Sequence, residues 1–375
     1  ISEFPLAAGE AAAFGSASNP KAFPCGDILY LTEGNSVLQK NIGASQEVAT
    51  LTLADGVAVN DLAFFSPDET THYVVAGDDG GGITFWDFAA EQSMRISNTH
   101  IGEVTSVAID DDLETLLTTG SDGVAKLWRK AGEMEFISYC ATEPAPWRLE
   151  DGVFLSKSID AERDAVQTVA VVGGQTVTLY DAVTCAPIIT LPRLSSMATA
   201  LSVSPDGRWL AVGADKQLAL WNLEDIQKPP VLKTETINVQ DIVWGADDGM
   251  LIVVGRRLPD TGNAPHIWRI DAAGNLTKDR DAKIPHNSDI YAVKVVDERR
   301  EQVITGGVEP QAIIWRPTDD FITDRLHSNA GRVIALDVSE DGKFVATGDK
   351  SGVVRIHVLD LDELLNIALD RLGAP

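Results

Sequence analysis

Residues 104–128 read Val104-Thr-Ser-Val-Ala-Ile109, a short acidic turn, Glu114-Thr-Leu-Leu-Thr-Thr119, the turn Gly120-Ser-Asp-Gly123, and Val124-Ala-Lys-Leu-Trp128. Each apolar run has the length of a strand, and its alternation of apolar and polar residues between Asp/Gly turns is typical of a half-buried strand. The next run, Met134-Glu-Phe-Ile-Ser-Tyr139, supplies a fourth strand. The segment therefore predicts a unit of four short strands.

This unit recurs along almost the whole chain, and each copy ends its third strand on a large side chain. The strand ends are Trp86, Trp128, Tyr180, Trp221, Trp268, Trp315 and His357. Subtraction of neighbouring positions gives intervals of 42, 52, 41, 47, 47 and 42 residues. A period of roughly 40 to 50 residues indicates a repeat architecture rather than one folded lobe. The longest interval predicts a loop insertion in the copy that ends at Tyr180.

The turns and strand ends resemble those of the tryptophan-aspartate (WD) repeat family of β-propellers. The resemblance rests on Ser204-Pro-Asp-Gly207, on Gly120–Gly123 and on the strands that end in Leu-Trp or Ile-Trp, and it covers about residues 10 to 358. The literal Trp-Asp pair stands only at Trp86-Asp87. The resemblance implies an all-β fold, a propeller, whose members usually bind proteins or peptides.

The number of blades depends on how the ring closes. In that family one repeat supplies the outer strand of one blade and the three inner strands of the next, and the last copy here, which ends at His357, lacks an outer strand. If Phe4-Pro-Leu-Ala7 supplies that strand, eight blades result. If Val48 to Leu53 supplies it, seven result. Eight is favoured, because Ile28 to Gln39 reads as ordinary inner strands that would otherwise leave ladder groups unpaired.

We expect a single propeller domain over residues 1–359, closed by pairing of strands from both ends of the chain, and a short amphipathic helix over residues 360–375. Leucine and alanine side chains recur at helical spacing from Leu361 to Leu372, behind leading acidic residues. The chain begins with Ile1 instead of Met, which leaves open that it is a fragment of a longer protein.

Charge and composition limit the partners and the compartment. The chain has 56 acidic and 30 basic side chains, a formal charge of -26, so nucleic acid and anionic membranes are not expected partners. No apolar run reaches the roughly 20 residues of a membrane helix, and no secretory signal opens the chain. Cys25, Cys140 and Cys185 share no short spacing, so we expect reduced thiols in a cytoplasmic protein.

One copy contains a constellation of polar residues with two interpretations. In the family, a His before the inner strand, a Ser or Thr on the second strand, a turn Asp and the strand-end Trp can form a hydrogen-bonded chain that satisfies buried polar groups. The matching residues are His100, Thr119, Asp122 and Trp128. The His, Asp and Thr could instead form an acyl-transfer triad. Since His286 and His327 hold the equivalent leading position, a repeated structural part is favoured.

Other motifs do not indicate chemistry. Six histidines and three cysteines show no zinc-ligand spacing. Gly77–Gly82 is glycine-rich but leads into a strand, whereas phosphate loops lead into a helix. Asp260-Thr-Gly262 lacks the second carboxylate that aspartic proteases need. We therefore expect no metal, no cofactor and no catalysis.

The remaining hypothesis is a non-catalytic scaffold for protein or peptide partners. The resemblance implies binding on the face whose loops enter the innermost strands, where exposed aromatic and Arg side chains are the usual anchors. The residues near those entries are Asp61, Glu103, Trp147, Asn238, Gln240, Asp289, Tyr291 and Arg332. Two alternatives stay open: a sensor or regulatory module of a larger multidomain signalling protein, and an enzyme with its site in the central channel.

Overall fold

The computed structural model describes residues 2–5, 21–25, 28–33, 36–41, 46–53, 56–66, 71–110, 114–132, 134–155, 167–245, 249–257, 264–297, 299, 301–327 and 331–360. Within these ranges the regular structure is β-strand, with one short 3₁₀ helix at Leu223–Asp225. The all-β prediction is confirmed.

Five four-stranded sheets and one six-stranded sheet surround an axis. Two of the four-stranded sheets consist of β6 (Val59–Phe65), β7 (Tyr73–Asp78), β8 (Ile83–Asp87) and β9 (Gln92–Ile96), and of β10 (Val104–Ile109), β11 (Thr115–Gly120), β12 (Ala125–Lys130) and β13 (Phe136–Ala141). The next two consist of β14 (Leu149–Leu155), β15 (Thr168–Gly173), β16 (Thr176–Asp181) and β17 (Pro187–Thr190), and of β24 (Ile290–Val295), β25 (Val303–Gly307), β26 (Gln311–Arg316) and β27 (Phe321–His327).

The six-stranded sheet contains two repeats. Its strands are β18 (Ala198–Val203), β19 (Trp209–Asn222), β20 (Val231–Trp244), β21 (Met250–Arg257), β22 (His266–Ile270) and β23 (Leu276–Asp281). The first half of β19 pairs with β18, and its second half pairs with the start of β20. The second half of β20 then forms the first strand of the next repeat and pairs with β21. The first strand of each repeat lines the axis and contacts the first strand of the next repeat. In order, these innermost strands are β6, β10, β14, β18, the second half of β20, β24 and β28 (Val333–Val338).

The predicted number of blades is wrong. The ring consists of six hydrogen-bonded sheets instead of eight or seven separate blades, because β20 runs without a break from the outer edge of one repeat into the inner edge of the next. The two halves of this sheet still pack face to face, with Trp209 and Leu218 from one half against Val239 and Trp268 from the other.

The ring closes through a strand near the N-terminus. In the last four-stranded sheet, β29 (Phe344–Asp349) and β30 (Val353–Val358) follow β28, and β5 (Gln46–Thr52) pairs with β30 as the outer strand. The expectation that Phe4–Ala7 closes the ring is therefore wrong. Instead, β1 (Ser2–Pro5) pairs with β4 (Ser36–Asn41), in a sheet that also contains β3 (Ile28–Glu33) and β2 (Lys21–Cys25).

The core lies in layers between neighbouring sheets. In one layer, Phe65 and Phe85 of the β6–β9 sheet pack against Val104, Leu116 and Trp128 of the next sheet. The other strand-end tryptophans are also buried, as is His357, which takes the place of a tryptophan in the closing sheet. The strand-end series thus consists mainly of residues that fill the space between sheets.

A disulfide contradicts the expectation of reduced thiols. Cys140 in β13 is bonded to Cys185 in the turn between β16 and β17, so a covalent link joins two neighbouring sheets. The pair is separated by 45 residues and forms because the repeat fold brings an outer strand beside the turn of the next repeat. Disulfides are typical of oxidising compartments.

The helix predicted over residues 360–375 lies outside the described residues, which end at Asp360. Among the residues described before that point, the structure contains no helix long and apolar enough to cross a membrane.

Candidate functional site

A hydrogen-bonded chain joins the loop before β10 to the interior of its sheet. The Nδ1 atom of His100 lies 3.0 Å from a carboxylate oxygen of Asp122, and its Nε2 lies 2.9 Å from the Thr118 hydroxyl. The Trp128 indole donates to the same hydroxyl over 3.0 Å. Gly120 gives the pair room, because a Cβ atom there would lie 2.4 Å from His100 Nδ1 and 2.7 Å from the carboxylate.

Thr118 takes the position that the sequence interpretation gave to Thr119. In β11, Leu116 is the partner of Trp128, and residues two apart on a strand share a face, so Thr118 lies on the same face as the indole. Thr119 lies on the opposite face, where its hydroxyl is 2.8 Å from that of Thr105. The assignment of Thr119 to the chain is wrong.

The same arrangement occurs in the sheet of β24–β27. His286 contacts Glu309 at 3.2 Å and the Thr305 hydroxyl at 2.9 Å, and the Trp315 indole donates to Thr305 over 3.2 Å. The turn before Trp315 contains Glu309 instead of an Asp. The longer side chain of Glu309 nevertheless reaches the His286 imidazole. Any carboxylate in this turn, Asp or Glu, can therefore complete the hydrogen-bonded chain.

A third hydrogen-bonded chain contains no threonine hydroxyl. In the six-stranded sheet, Glu235 accepts from the Trp268 indole over 2.6 Å with one oxygen and lies 2.6 Å from His266 Nδ1 with the other. All three side chains are buried. Buried indole and imidazole groups thus find polar partners in three sheets by related means.

The protonation of these chains fits a structural role. Burial lowers the pKa of His100 and of His286, against the opposing effect of their carboxylate partners. Although burial acts to raise the pKa of Asp122, hydrogen bonds from Ile101 N–H and His100 hold it below its ordinary value. A neutral imidazole then donates from Nδ1 to Asp122 and accepts from Thr118. Since Thr118 is fully buried, a substrate cannot reach its hydroxyl.

Carboxylates line the central cavity, and the sequence interpretation recognised only one of them. Asp61, Asp151 and Asp241 follow a β-bulge near the start of their innermost strands. One oxygen of each accepts the next N–H of its own strand, and the other accepts an N–H of the neighbouring innermost strand, from Val107, Leu201 and Val293 at 2.8, 2.8 and 2.9 Å. The signal was a carboxylate two residues after the apolar residue that begins each innermost segment, Val59, Leu149 or Val239.

Two further charges complete this group. Asp337 in β28 accepts the N–H of Phe64 in β6 over 2.7 Å, and Lys294 in β24 lies among the four carboxylates. Burial raises the pKa of all four, to about 7 for Asp151 and about 6 for Asp241. Although burial alone would lower the pKa of Lys294, Asp337 and the other three carboxylates raise it above its ordinary value. These contacts tie the innermost strands to one another.

The predicted binding residues separate into groups. Gln240 and Tyr291 line the mouth of the central cavity, whose volume is about 520 Å³. Arg256 joins them, because its Nε donates to Gln240 over 3.0 Å and its guanidinium lies 5.9 Å from the centre of the Tyr291 ring. Arg256 was not predicted, because only the register of β20 with β21 brings it to this face.

Asp61 also lines this cavity, whereas the remaining predicted residues lie outside its wall. Asn238 pairs with both Asp215 and Arg256 in the sheet, Asp289 is half-buried before β24, and Arg332 is exposed before β28. Trp147 lies before β14, where its neighbour Arg148 forms ion pairs with Glu103 and Glu150. Among the described residues, no group of three or more His, Cys, Asp or Glu is placed to hold a metal ion.

Known proteins share parts of this sequence. Residues 92–129, 187–222 and 322–357 match the family model of the WD domain, G-beta repeat. The chain is 27% identical over 78 residues to the angio-associated migratory cell protein of Homo sapiens, a match that covers 21% of this chain and 18% of that protein. It is 31% identical over 86 residues to protein HIR1 of Candida albicans, covering 18% of this chain and 10% of the relative.

Protein HIR1 of Kluyveromyces lactis is 22% identical over 170 residues, which cover 41% of this chain and 16% of the relative. The matched parts therefore span less than a fifth of each relative. The three matched segments, the ring of sheets and the buried strand-end tryptophans together show a β-propeller that contains WD repeats.

Proposed function

We propose that this chain is a non-catalytic binding platform that holds protein or peptide partners on the face where loops enter the innermost strands. The observation that carries the proposal is the group of Gln240, Arg256 and Tyr291 at the mouth of the central cavity. Arg and Tyr side chains are frequent anchors of protein interfaces. Fold alone does not give the partner.

The histidine chains support a role without catalysis. His100 and His286 occupy equivalent positions in two repeats, and each is buried with its carboxylate and threonine. A catalytic site is normally unique and open to substrate, whereas a repeated buried arrangement serves each sheet. This observation weighs against an enzyme built on these residues.

The charge of -26 favours protein partners over nucleic acid or anionic membranes. A cytoplasmic location was expected because the three cysteines share no short spacing, but the Cys140–Cys185 disulfide favours an oxidising compartment. Fractionation of cells that express a tagged chain decides between these locations.

Affinity capture tests the proposal. The purified chain is immobilised, exposed to lysate of the source organism, and the retained proteins are quantified by mass spectrometry. We expect at least one protein to be retained by the wild type and by Phe321→Ala, whose aromatic ring is exposed on an outer strand. The same protein should be depleted with Tyr291→Ala, Arg256→Ala or Arg332→Ala. Equal recovery with all variants would contradict binding by this face.

A further inference from the structure

Three consecutive loops on the same face carry exposed apolar side chains. Ile101 precedes β10, Trp147 precedes β14 and Met197 precedes β18, with 89%, 39% and 45% of their surface exposed. Isolated exposed apolar residues are common on protein surfaces, but a contiguous group marks an interaction site.

The three loops are contiguous through the turns between them. Ile101 donates its N–H to Asp122, whose neighbour Gly123 lies against the carbonyl oxygens of Ala145 and Trp147. The Trp147 ring in turn covers Gly174, and the Gly174 carbonyl accepts the N–H of Ala198, next to Met197. We call Ile101, Trp147 and Met197 the apolar arc.

Two glycines hold Trp147 in place. A Cβ atom at Gly174 would lie 2.8, 3.0 and 3.1 Å from three atoms of the indole, and one at Gly173 would lie 2.9 Å from a fourth. The ring therefore rests on bare backbone, and its outer surface remains exposed. An anchor that is already ordered loses less conformational entropy when a partner binds.

The charges beside the arc are unequal. Glu103, Asp122 and Glu150 lie near its Ile101–Trp147 end, and the exposed Glu143 precedes Trp147 by four residues in the same loop. Arg148 pairs with both Glu103 and Glu150, Lys126 donates to the Thr99 carbonyl, and Arg256 acts electrostatically on Glu150. The four carboxylates therefore still outnumber the basic side chains at this end. At the Met197 end, Arg193 is engaged by Gln175 at 2.5 Å, and Lys216 lies beside Asp215. The Ile101–Trp147 end therefore favours a cationic partner.

We propose that the apolar arc docks an extended segment of a partner protein in which an aromatic or long aliphatic side chain is flanked by Lys or Arg. The apolar side chain packs on Trp147, and the basic residues lie against the carboxylates at the Ile101–Trp147 end. This inference rests on the proposed function. It specifies the chemistry of the partner segment that would bind the loop face beside the mouth of the central cavity.

Selection from a random peptide library displayed on phage tests the proposal. The wild-type chain should enrich peptides with an aromatic or aliphatic residue next to Lys or Arg. Fluorescein-labelled copies of the enriched peptides should bind Trp147→Ala and Met197→Ala about tenfold more weakly, a loss of about 1.4 kcal/mol. Phe321→Ala, which removes an exposed aromatic side chain elsewhere, should bind as the wild type does, and thermal unfolding checks that each variant is folded.

Replacement of a carboxylate beside the apolar arc provides a second test. Glu143→Gln should weaken the same peptides, and added salt should reduce the difference from wild type, because exposed charges are screened. Enriched peptides without basic residues, equal binding by Trp147→Ala, or no enrichment would overturn the inference. Peptides that lose affinity only with Tyr291→Ala or Arg256→Ala would also overturn it but leave the proposed function intact. Failure of the proposed function itself appears separately, in the affinity capture.

Discussion

The Thr118 hydroxyl serves two buried side chains at once, because it donates to His100 and accepts from the Trp128 indole. The family resemblance implied the residue types of this chain, and they agree with the need of a buried indole and imidazole for polar partners. The choice between Thr118 and Thr119 could not, because it depends on the register of β11 with β12. Glu309 was missed for a related reason, since only the folded turn shows that its side chain reaches His286.

Thr118→Val should lower the free energy of unfolding by about 1–3 kcal/mol, because it leaves the buried indole N–H without an acceptor. Thr118→Ser keeps the hydroxyl and should recover most of that loss. Thr119→Val should cost less than Thr118→Val, since the hydroxyl of Thr105 is partly exposed and can bind water. Urea denaturation measures all three, and equal losses for the two valine variants would contradict the assignment.

At the scale of elements, the strands were predictable and their grouping was not. Apolar alternation and the recurring tryptophans located most strands and the buried end of each third strand. The number of sheets depends on hydrogen bonds at the transition from one repeat to the next, where β20 continues without a break. Closure by β5 also depends on a long-range contact, because the buried Arg355 in β30 faces Glu47 in β5 at 3.4 Å.

The Cys140–Cys185 disulfide links the outer strand β13 to the next sheet, so its reduction should lower the midpoint of thermal unfolding. A disulfide of this kind contributes about 2–4 kcal/mol, chiefly by restricting the unfolded chain. Cys140→Ser should lower the midpoint similarly and abolish the effect of a reducing agent. Cys25→Ser should leave the effect in place, because Cys25 is not part of the pair. Unchanged melting on reduction of the wild type would count against the link.

At the scale of the molecule, the ring brings together carboxylates that are far apart in the chain. Asp337 and Phe64 are 273 residues apart yet share a hydrogen bond, so the group around Lys294 exists only once the ring has closed. This explains why a sequence interpretation that treats one repeat at a time finds Asp61 only as a candidate binding residue and overlooks the other three carboxylates. The innermost strands are held by these charges as well as by their apolar layers.

The pH dependence of stability should report this group. The pKa of Asp151 is about 7 in the folded chain against an ordinary value of 3.8, so the folded state binds more protons between these values. Its ionisation therefore costs stability as the pH rises through this range. Asp151→Asn still accepts from Leu201 N–H, and its stability relative to wild type should be greatest near about pH 8 and decline toward about pH 5.

The effect should amount to about 1.4 kcal/mol for each unit by which the two pKa values differ. Urea denaturation of both proteins at each pH measures this difference. The titration of His100 and His286 contributes equally to both proteins and therefore does not change the difference. A constant difference between the two proteins across this range would contradict the raised pKa of Asp151.

Lys294→Met should be destabilising at neutral pH, by at most about 3–5 kcal/mol, because it leaves the half-buried carboxylates of the cavity wall without their cation. Acidification should reduce the loss, since protonated carboxylates no longer need Lys294. Circular dichroism during urea unfolding measures the change. A loss that stays the same at low pH would mean that Lys294 acts through packing alone.

Hydrogen–deuterium exchange of the chain with a captured partner tests the central proposal, binding by the loop face, most directly. We expect the partner to slow exchange in the loops that precede the innermost strands β10, β14 and β24, and at residues 237–240, where β20 passes into its innermost half. The outer strands β9, β23 and β27 should remain unchanged. Protection confined to the outer strands, or none in these loops at saturating partner, would contradict the account.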